Sequence, residues 1–403
     1  MEENALAKAE ARTAKKNILG CCLATFWAGS VCFGYPGIMG AVWQAEFGAS
    51  AGETGFVLTV MLFAISFGTF LSGKFLNRFG MRSCILAGTL LLLASMAVLS
   101  LAPDIRMVYV WAFLANLGVS FIYGPGLTTV QRWMPRQKGL ACGLLNVTFG
   151  LSAAIMSPIL EAVLTSAGYV KLNCGFALCI LFTNALALAL VRNKPQKARA
   201  SRRKNCGSLG VSEALKTKAF WLIWFTWALV GAAGISMVSI AKGYAEHMGF
   251  ASVAVLISFN FTNGLGRLLA GELSDKIGGE KTAATAFLIA TAGFILMPLA
   301  RTGPSACILA ACTGYAFGAL FTTAGPILAR HFGLGNFGAI FGLTFAAYGC
   351  LGGCLGPWLS GIVLERAAEP YPLVFGYLAA FTLTGSALTF ILATMKGSGQ
   401  KAG

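Results

Sequence analysis

Long apolar runs separated by short polar turns make up most of this chain. Twelve such runs fall at approximately 17–44, 54–76, 82–102, 106–133, 138–167, 170–192, 219–247, 251–276, 280–301, 304–331, 336–364 and 370–395. A helix of about 20 apolar residues spans a bilayer, so the pattern predicts an all-α membrane protein with twelve transmembrane helices. The turns themselves repeat. Gly73-Lys74-Phe75-Leu76-Asn77-Arg78-Phe79-Gly80 and Gly271-Glu272-Leu273-Ser274-Asp275-Lys276-Ile277-Gly278 share one layout, 198 positions apart. Each reads Gly, three residues, Asn or Asp, a base, an apolar residue and Gly in the same order. Tyr123-Gly124-Pro125 and Ala324-Gly325-Pro326 form a second pair, 201 positions apart. Two similar halves follow: a six-helix bundle over residues 1–192, a basic linker over 193–218 and a second, pseudo-symmetric six-helix bundle over 219–403.

One position breaks the apolar pattern at depth. Arg267 lies inside the eighth run, preceded on the same helix face by Asn263, four residues earlier. A cation in mid-membrane costs at least about 2.5 kcal/mol on insertion scales and is by default a functional-site candidate. The alternative is a structural cation satisfied by backbone carbonyls. All fourteen Asp and Glu fall in loops, tails or helix ends, Glu161 being the most embedded. A guanidinium with no resident carboxylate is suited to an external one, which it can hold with two parallel hydrogen bonds.

Composition agrees with the spans: 57% of the 403 residues are hydrophobic and 11% charged, against about 25% charged in soluble domains. The net charge of +16 raises the question of nucleic acid, but its distribution answers it. With both termini in the cytoplasm, 24 Lys and Arg lie inside, 5 outside, and Arg267 in the membrane. That is the positive-inside asymmetry, so the charge reports topology in a cell inner (plasma) membrane rather than a nucleic-acid partner. The polar segment before Lys16 has no apolar run and does not read as a cleavable signal peptide. The twelve Cys include no CxxC pair; neither a metal site nor a disulfide framework is expected, nor is a cofactor. No nucleophile–base pair or phosphate loop suggests an enzyme.

Other candidates gather around Arg267. Tyr123 and Tyr315 lie at mid-depth of the fourth and tenth spans, where a hydroxyl completes a carboxylate's hydrogen bonds; ordinary helix packing is the alternative. Tyr35 follows Phe33-Gly34 and precedes Pro36-Gly37, a sequence that predicts either a local break in the first helix or close packing there; Tyr35 either faces a cavity or sits at an interface. Phe345 and Tyr348 are candidates for the apolar side of a pocket. Asn263 either binds substrate or orients Arg267, and Asn116 and Asn146 are further polar candidates. His247, near an outer helix end, is a candidate for coupling or a surface residue, and His331 reads as interfacial.

The two charged turns resemble the loop 2–3 motif of the major facilitator superfamily and its loop 8–9 copy, whose parallel six-helix repeats match the internal duplication here. The residues carrying that motif are Gly73, Asn77, Arg78, Gly80, Gly271, Asp275, Lys276 and Gly278, which the resemblance assigns to conformational gating. The stretches Arg132–Gly143 and Glu213–Trp224, with Asn263-Gly264-Leu265-Gly266-Arg267, narrow the resemblance to the oxalate/formate antiporter family and its relatives, the monocarboxylate transporters. In these relatives the arginine of the eighth span holds the substrate carboxylate, which implies that role for Arg267. The chain departs from the animal monocarboxylate transporters at Asn263, where they carry aspartate, and at Gly37, where they carry lysine after the proline; both groups are linked to proton coupling there. It departs from the superfamily at Asn77, where aspartate is usual.

The expected protein is a monomeric secondary active transporter in the lipid bilayer that moves a small carboxylate with protons by alternating access. A single buried cation suits a monocarboxylate of the lactate or pyruvate kind. Exchange of the oxalate/formate type is the alternative, although a dianion would prefer two cations.

Overall fold

In lipid, backbone polar groups must be satisfied within the chain, and helices do so here throughout. The computed structural model describes residues 2–134, 138–192, 209–333 and 337–395. The helices are α1 (Arg12–Phe47), α2 (Ala51–Gly73), α3 (Arg78–Ser100), α4 (Ile105–Val130), α5 (Gly143–Ala167), α6 (Tyr169–Leu190), α7 (Lys218–His247), α8 (Ala254–Ile277), α9 (Gly279–Leu299), α10 (Gly303–Phe332), α11 (Ile340–Arg366) and α12 (Pro370–Thr394). No strand occurs among the described residues. Eleven of these helices are apolar enough to cross a membrane on composition alone, and α8 is the exception. With 24 residues it is long enough. Asn260, Asn263, Arg267 and the charged residues Glu272, Asp275 and Lys276 lower its hydropathy.

The duplication read from the turns is visible in the backbone. Gly80 (φ 80°) and Gly278 (φ 92°) occupy the left-handed region at equivalent places, breaking α2 from α3 and α8 from α9. A Cβ is strained there, so glycine is required. α4 and α10 each carry an internal proline, Pro125 and Pro326. The face bearing both charged turns is the inner face of the topology predicted from charge. There Lys276 pairs with Glu272 at 2.7 Å, the Arg78 guanidinium lies 5.2 Å over the Phe79 ring, and Asp275 is exposed. A Cβ at Gly271 would meet the Thr322 methyl at 3.3 Å, whereas one at Gly73 would meet nothing within 4 Å. The Asn77 side chain lies outside the described residues, as do residues 193–208 of the linker and Pro135–Gln137 of the stretch after α4. The linker's end forms a short helix, Val211–Leu215, and Trp221 at the start of α7 donates from Nε1 to the Leu215 carbonyl at 3.0 Å.

The break expected in α1 is a π-helical segment, Ser30–Gly34, and α11 contains two more, Tyr348–Gly352 and Cys354–Trp358. Such bulges are frequent at functional sites. The contacts between the first six helices and the last six include two seams, α2 with α11 and α5 with α8. On the first, Thr59 donates to the Gly353 carbonyl at 2.8 Å. On the second, Gly150 faces Gly264: a Cβ at Gly150 would sit 2.7 Å from the Gly264 Cα and 3.4 Å from Arg267 Nε. The obstacle is backbone, so it cannot swing aside. Gly150→Val is therefore expected to destabilise the protein by about 1–3 kcal/mol through overpacking, and to weaken ligand binding as α8 is displaced. Gly40→Ala, where no atom lies within 4 Å of the added carbon, is the control; equal melting temperatures for the two variants would refute this account of the seam.

At the outer end of the topology predicted from charge, polar ties join the halves. Lys242 Nζ of α7 lies 3.1 Å from Glu161 Oε2 of α5, and Ser252 donates to Glu161 Oε1 at 3.1 Å. The Gly52 amide, at the start of α2, donates to the Glu365 carboxylate of α11. Glu161 is not the most embedded acid. Glu280, at the start of α9, is more deeply buried; it is held by Arg330 at 2.9 Å and by His331 Nε2 at 3.1 Å, both from α10. His331, read from the sequence as interfacial, is likewise buried in this cluster. A buried carboxylate needs such partners, and an arginine and a histidine of a neighbouring helix supply them.

Candidate functional site

Arg267 lies 13 residues from the outer end of α8 and 10 from the inner end, so at 1.5 Å per residue it stands roughly 15–20 Å from either. It is only 2% exposed. Its guanidinium lies over two aromatic rings: the carbon is 4.7 Å from the centroid of Phe321 on α10 and 5.6 Å from that of Phe149 on α5. Cation–π contacts of this kind gain strength when desolvated. Nη1 donates to Asn146 Oδ1 at 3.3 Å, and the same oxygen accepts from the Tyr123 hydroxyl at 2.6 Å. Asn146 thus fixes one nitrogen of the fork. The other edge, Nε and Nη2, has no hydrogen-bond partner among the described residues. No carboxylate lies within 4.0 Å of Arg267 among them either. Nε and Nη2 are parallel donors on one side of a planar group, an arrangement matched by the two oxygens of a carboxylate.

A narrow central cavity adjoins this group. Both halves build it. Cys32 and Phe33 of α1, Met61 and Ile65 of α2, Asn116 and Tyr123 of α4 and Phe149 of α5 line one side; Ile235 of α7, Phe321 of α10, and Phe345 and Tyr348 of α11 line the other. The wall is mainly apolar, with few polar groups. Cys32 donates to Asn116 Oδ1 at 3.2 Å, and the buried Tyr348 hydroxyl has no partner among the described residues. Phe149 and Phe321 both line the cavity and cover Arg267, so the guanidinium sits directly behind two rings of the wall.

Of the residues singled out in the sequence, Arg267, Tyr123, Phe345 and Tyr348 meet at this place, and Asn263 shares the α8 face of Arg267. Two others are placed elsewhere. Tyr35 is buried against α6, its hydroxyl bonded to Asn173 and its ring stacked on Phe176 at 5.6 Å. The π segment that ends at Gly34 sets the facing of the next turn, so Phe33 rather than Tyr35 reaches the cavity. Tyr315 packs beside Gly266 on the α8–α10 contact and does not line the cavity; Phe321, six residues along α10, takes the place beside Arg267. Phe149 and Phe321 were not singled out in the sequence, and nothing in their local context distinguishes them from the other 28 phenylalanines. Asn146, a secondary candidate there, is the direct partner of Arg267.

The helical repeat, the central cavity between halves and the buried cation define a polytopic membrane transporter rather than an enzyme. Residues 21–357 match the Major Facilitator Superfamily, and the chain belongs to that family. It is 28% identical over 340 residues to the oxalate:formate antiporter of Oxalobacter formigenes, covering 80% of this chain and 77% of that protein. It is 22% identical over 345 residues to an uncharacterized MFS-type transporter of Escherichia coli strain K12, covering 84% and 85%. Monocarboxylate transporter 13 of Rattus norvegicus is 22% identical over 398 residues, covering 92% and 87%.

Proposed function

We propose that the protein is a secondary active transporter of a small monocarboxylate of the lactate or pyruvate kind, coupled to protons and working by alternating access. The observation that carries this reading is the buried Nε–Nη2 edge of Arg267, which has no partner and no acidic neighbour among the described residues. In a low-dielectric site an external carboxylate neutralises the charge and fills both donors at once. The halves, residues 1–192 and 219–403 joined by 193–218, rock about the cavity. The charged turns around Gly73–Gly80 and Gly271–Gly278 bias that motion from the cytoplasmic face. The protein resides as a monomer in the cell inner (plasma) membrane with both termini in the cytoplasm.

The relationship to an oxalate:formate antiporter favours exchange as the second reading. Against it, a dianion is best met by two cations, and Lys242 is engaged with Glu161 towards the outer end. Proteoliposomes separate the two. Under the symport reading, an inward proton gradient drives uptake of labelled lactate or pyruvate into vesicles holding no carboxylate. Uptake that ignores the pH gradient and requires internal oxalate or formate establishes exchange instead.

A further inference from the structure

Two carboxylates cross between the halves, and they do so at equivalent places in the repeat. Glu161, near the outer end of α5, accepts from Ser252, just before α8, and pairs with Lys242 of α7. Glu365, at the outer end of α11, accepts from the Gly52 amide in the first turn of α2. Glu161 and Glu365 are 204 positions apart (365 − 161), and Gly52 and Ser252 are 200 apart (252 − 52). These offsets match the 198 and 201 of the duplicated turns and prolines. Each carboxylate therefore hangs from the fifth helix of its half over the start of the second helix of the other. One ties the outer end of the α5–α8 seam, the other that of the α2–α11 seam.

The inner face is built differently. There Glu272 pairs with Lys276, and Glu280 with Arg330 and His331, all within the second half. Among the described residues the cavity wall holds no acid either. The carboxylates that join the halves thus lie at the outer end, within reach of outside protons: Glu365 is exposed and Glu161 partly so. The titratable group against Glu161 is Lys242, which has Glu246 3.9 Å away on its other side. Glu365 has no cation within 4.0 Å among the described residues, and its neighbour in the first turn of α2, Glu53, is engaged with the Ser50 amide.

We infer that Glu161 and Glu365 form a duplicated latch on the outer gate that outside protons release, so that external acid favours the outward-open state. The inference rests on the reading that the two halves rock about the cavity. A hydrogen bond to an ionised carboxylate is roughly twice as strong as one between neutral groups. Protonation therefore weakens the bonds from Ser252 and from the Gly52 amide, and it removes the ion pair with Lys242. In the closed state it also leaves Lys242, whose side chain is 9% exposed, with Glu246 as its remaining counter-charge. Once the halves separate, both carboxylates face water, and taking up a proton breaks no tie. The closed state holds them ionised and binds protons less readily than the open one, so by linkage falling pH shifts the population towards open. Because the tie is repeated at equivalent places, one signal releases both seams.

Distances between spin labels at the outer ends of α1 and α7 of the full-length protein in lipid nanodiscs, without substrate, test this. Between neutral pH and about pH 4.5, where carboxylates ordinarily take up protons, the ratio of outward-open to outward-closed protein is expected to rise at least about tenfold, since each latch exchanges charge-assisted bonds for neutral ones. The double variant Glu161→Gln, Glu365→Gln is expected to be open already at neutral pH and to lose the response, and each single variant to lose part of it. Asp104→Asn, at the cap of α4 within its own half, should respond as the native protein does. A native distribution that ignores pH overturns the latch, as does a double variant that keeps the native response. If the double variant does not fold, the single variants decide: an undiminished response in both overturns the latch. Saturating lactate or pyruvate at neutral pH tests the rocking motion separately. Distances that move with either acid but not with pH leave the motion standing and remove the latch; distances that move with neither remove both.

Discussion

Arg267→Gln is expected to abolish carboxylate binding while leaving a well-folded protein with an unchanged or raised melting temperature. A charge-assisted hydrogen bond contributes roughly 1.5–3 kcal/mol net, and the substitution removes the charge together with both donors of the Nε–Nη2 edge, so the loss is at least a hundredfold. Folding survives because little depends on the cation. Its hydrogen-bonded partner, Asn146 Oδ1, keeps the Tyr123 hydroxyl at 2.6 Å, and the rings of Phe149 and Phe321 can close over a shorter side chain. A buried charge without a counter-charge is itself destabilising, and its removal is often neutral or favourable. Arg267→Lys keeps the charge but makes a point contact in place of a fork, so binding weakens without vanishing. A structural arginine predicts the reverse: poor folding in the glutamine variant. Melting temperatures and ligand-induced stabilisation of the three proteins, measured together, decide between them. A folded Arg267→Gln that binds the acid with native affinity overturns the central reading.

The second large effect is expected at the outer end. Glu161 of α5 and Lys242 of α7 belong to different halves, and Ser252 completes the carboxylate's bonds. When the halves separate there, both charges regain water, so the open state does not carry the penalty of a broken buried pair. Glu161→Gln leaves Lys242 largely buried and without this partner only in the closed state, with Glu246 3.9 Å away as its remaining counter-charge. The outward-open population should rise about tenfold or more, in line with roughly 1.5–3 kcal/mol for a charge-assisted contact. Distances between spin labels at the outer ends of α1 and α7 report the shift. The exchanged pair, Glu161→Lys with Lys242→Glu, should return the distribution towards that of the native protein. A Glu161→Gln distribution identical to the native one would show that the pair closes nothing.

Much of this architecture is legible without coordinates because a bilayer leaves few options. Apolar runs of spanning length must be helices, and the turns ending at Gly80 and Gly278 betray the duplication through glycines that only a left-handed backbone requires. Arg267 was legible for the same reason: a cation at mid-depth has no inexpensive explanation. Tyr35 and Tyr315 show the limit. Both lie at suitable depths, but depth does not fix azimuth. A single π segment in α1 turns Phe33 rather than Tyr35 to the cavity, and α10 presents Phe321 rather than Tyr315.

The sequence by itself determined the twelve helices, their internal repeat, the transporter class and the cation at mid-depth of the eighth span. It could do so because these follow from local hydropathy, charge and backbone preference, each readable within a single span. Only the tertiary structure decided that Asn146 holds one nitrogen of Arg267, that the rings of Phe149 and Phe321 lie against its guanidinium, that Nε and Nη2 have no hydrogen-bond partner among the described residues, and that Glu161 meets Lys242. Those contacts join residues from α5, α7, α8 and α10 that are 54 to 121 positions apart. They depend on how closely two glycines let α5 approach α8 and on how each helix is rotated, quantities that no single segment encodes.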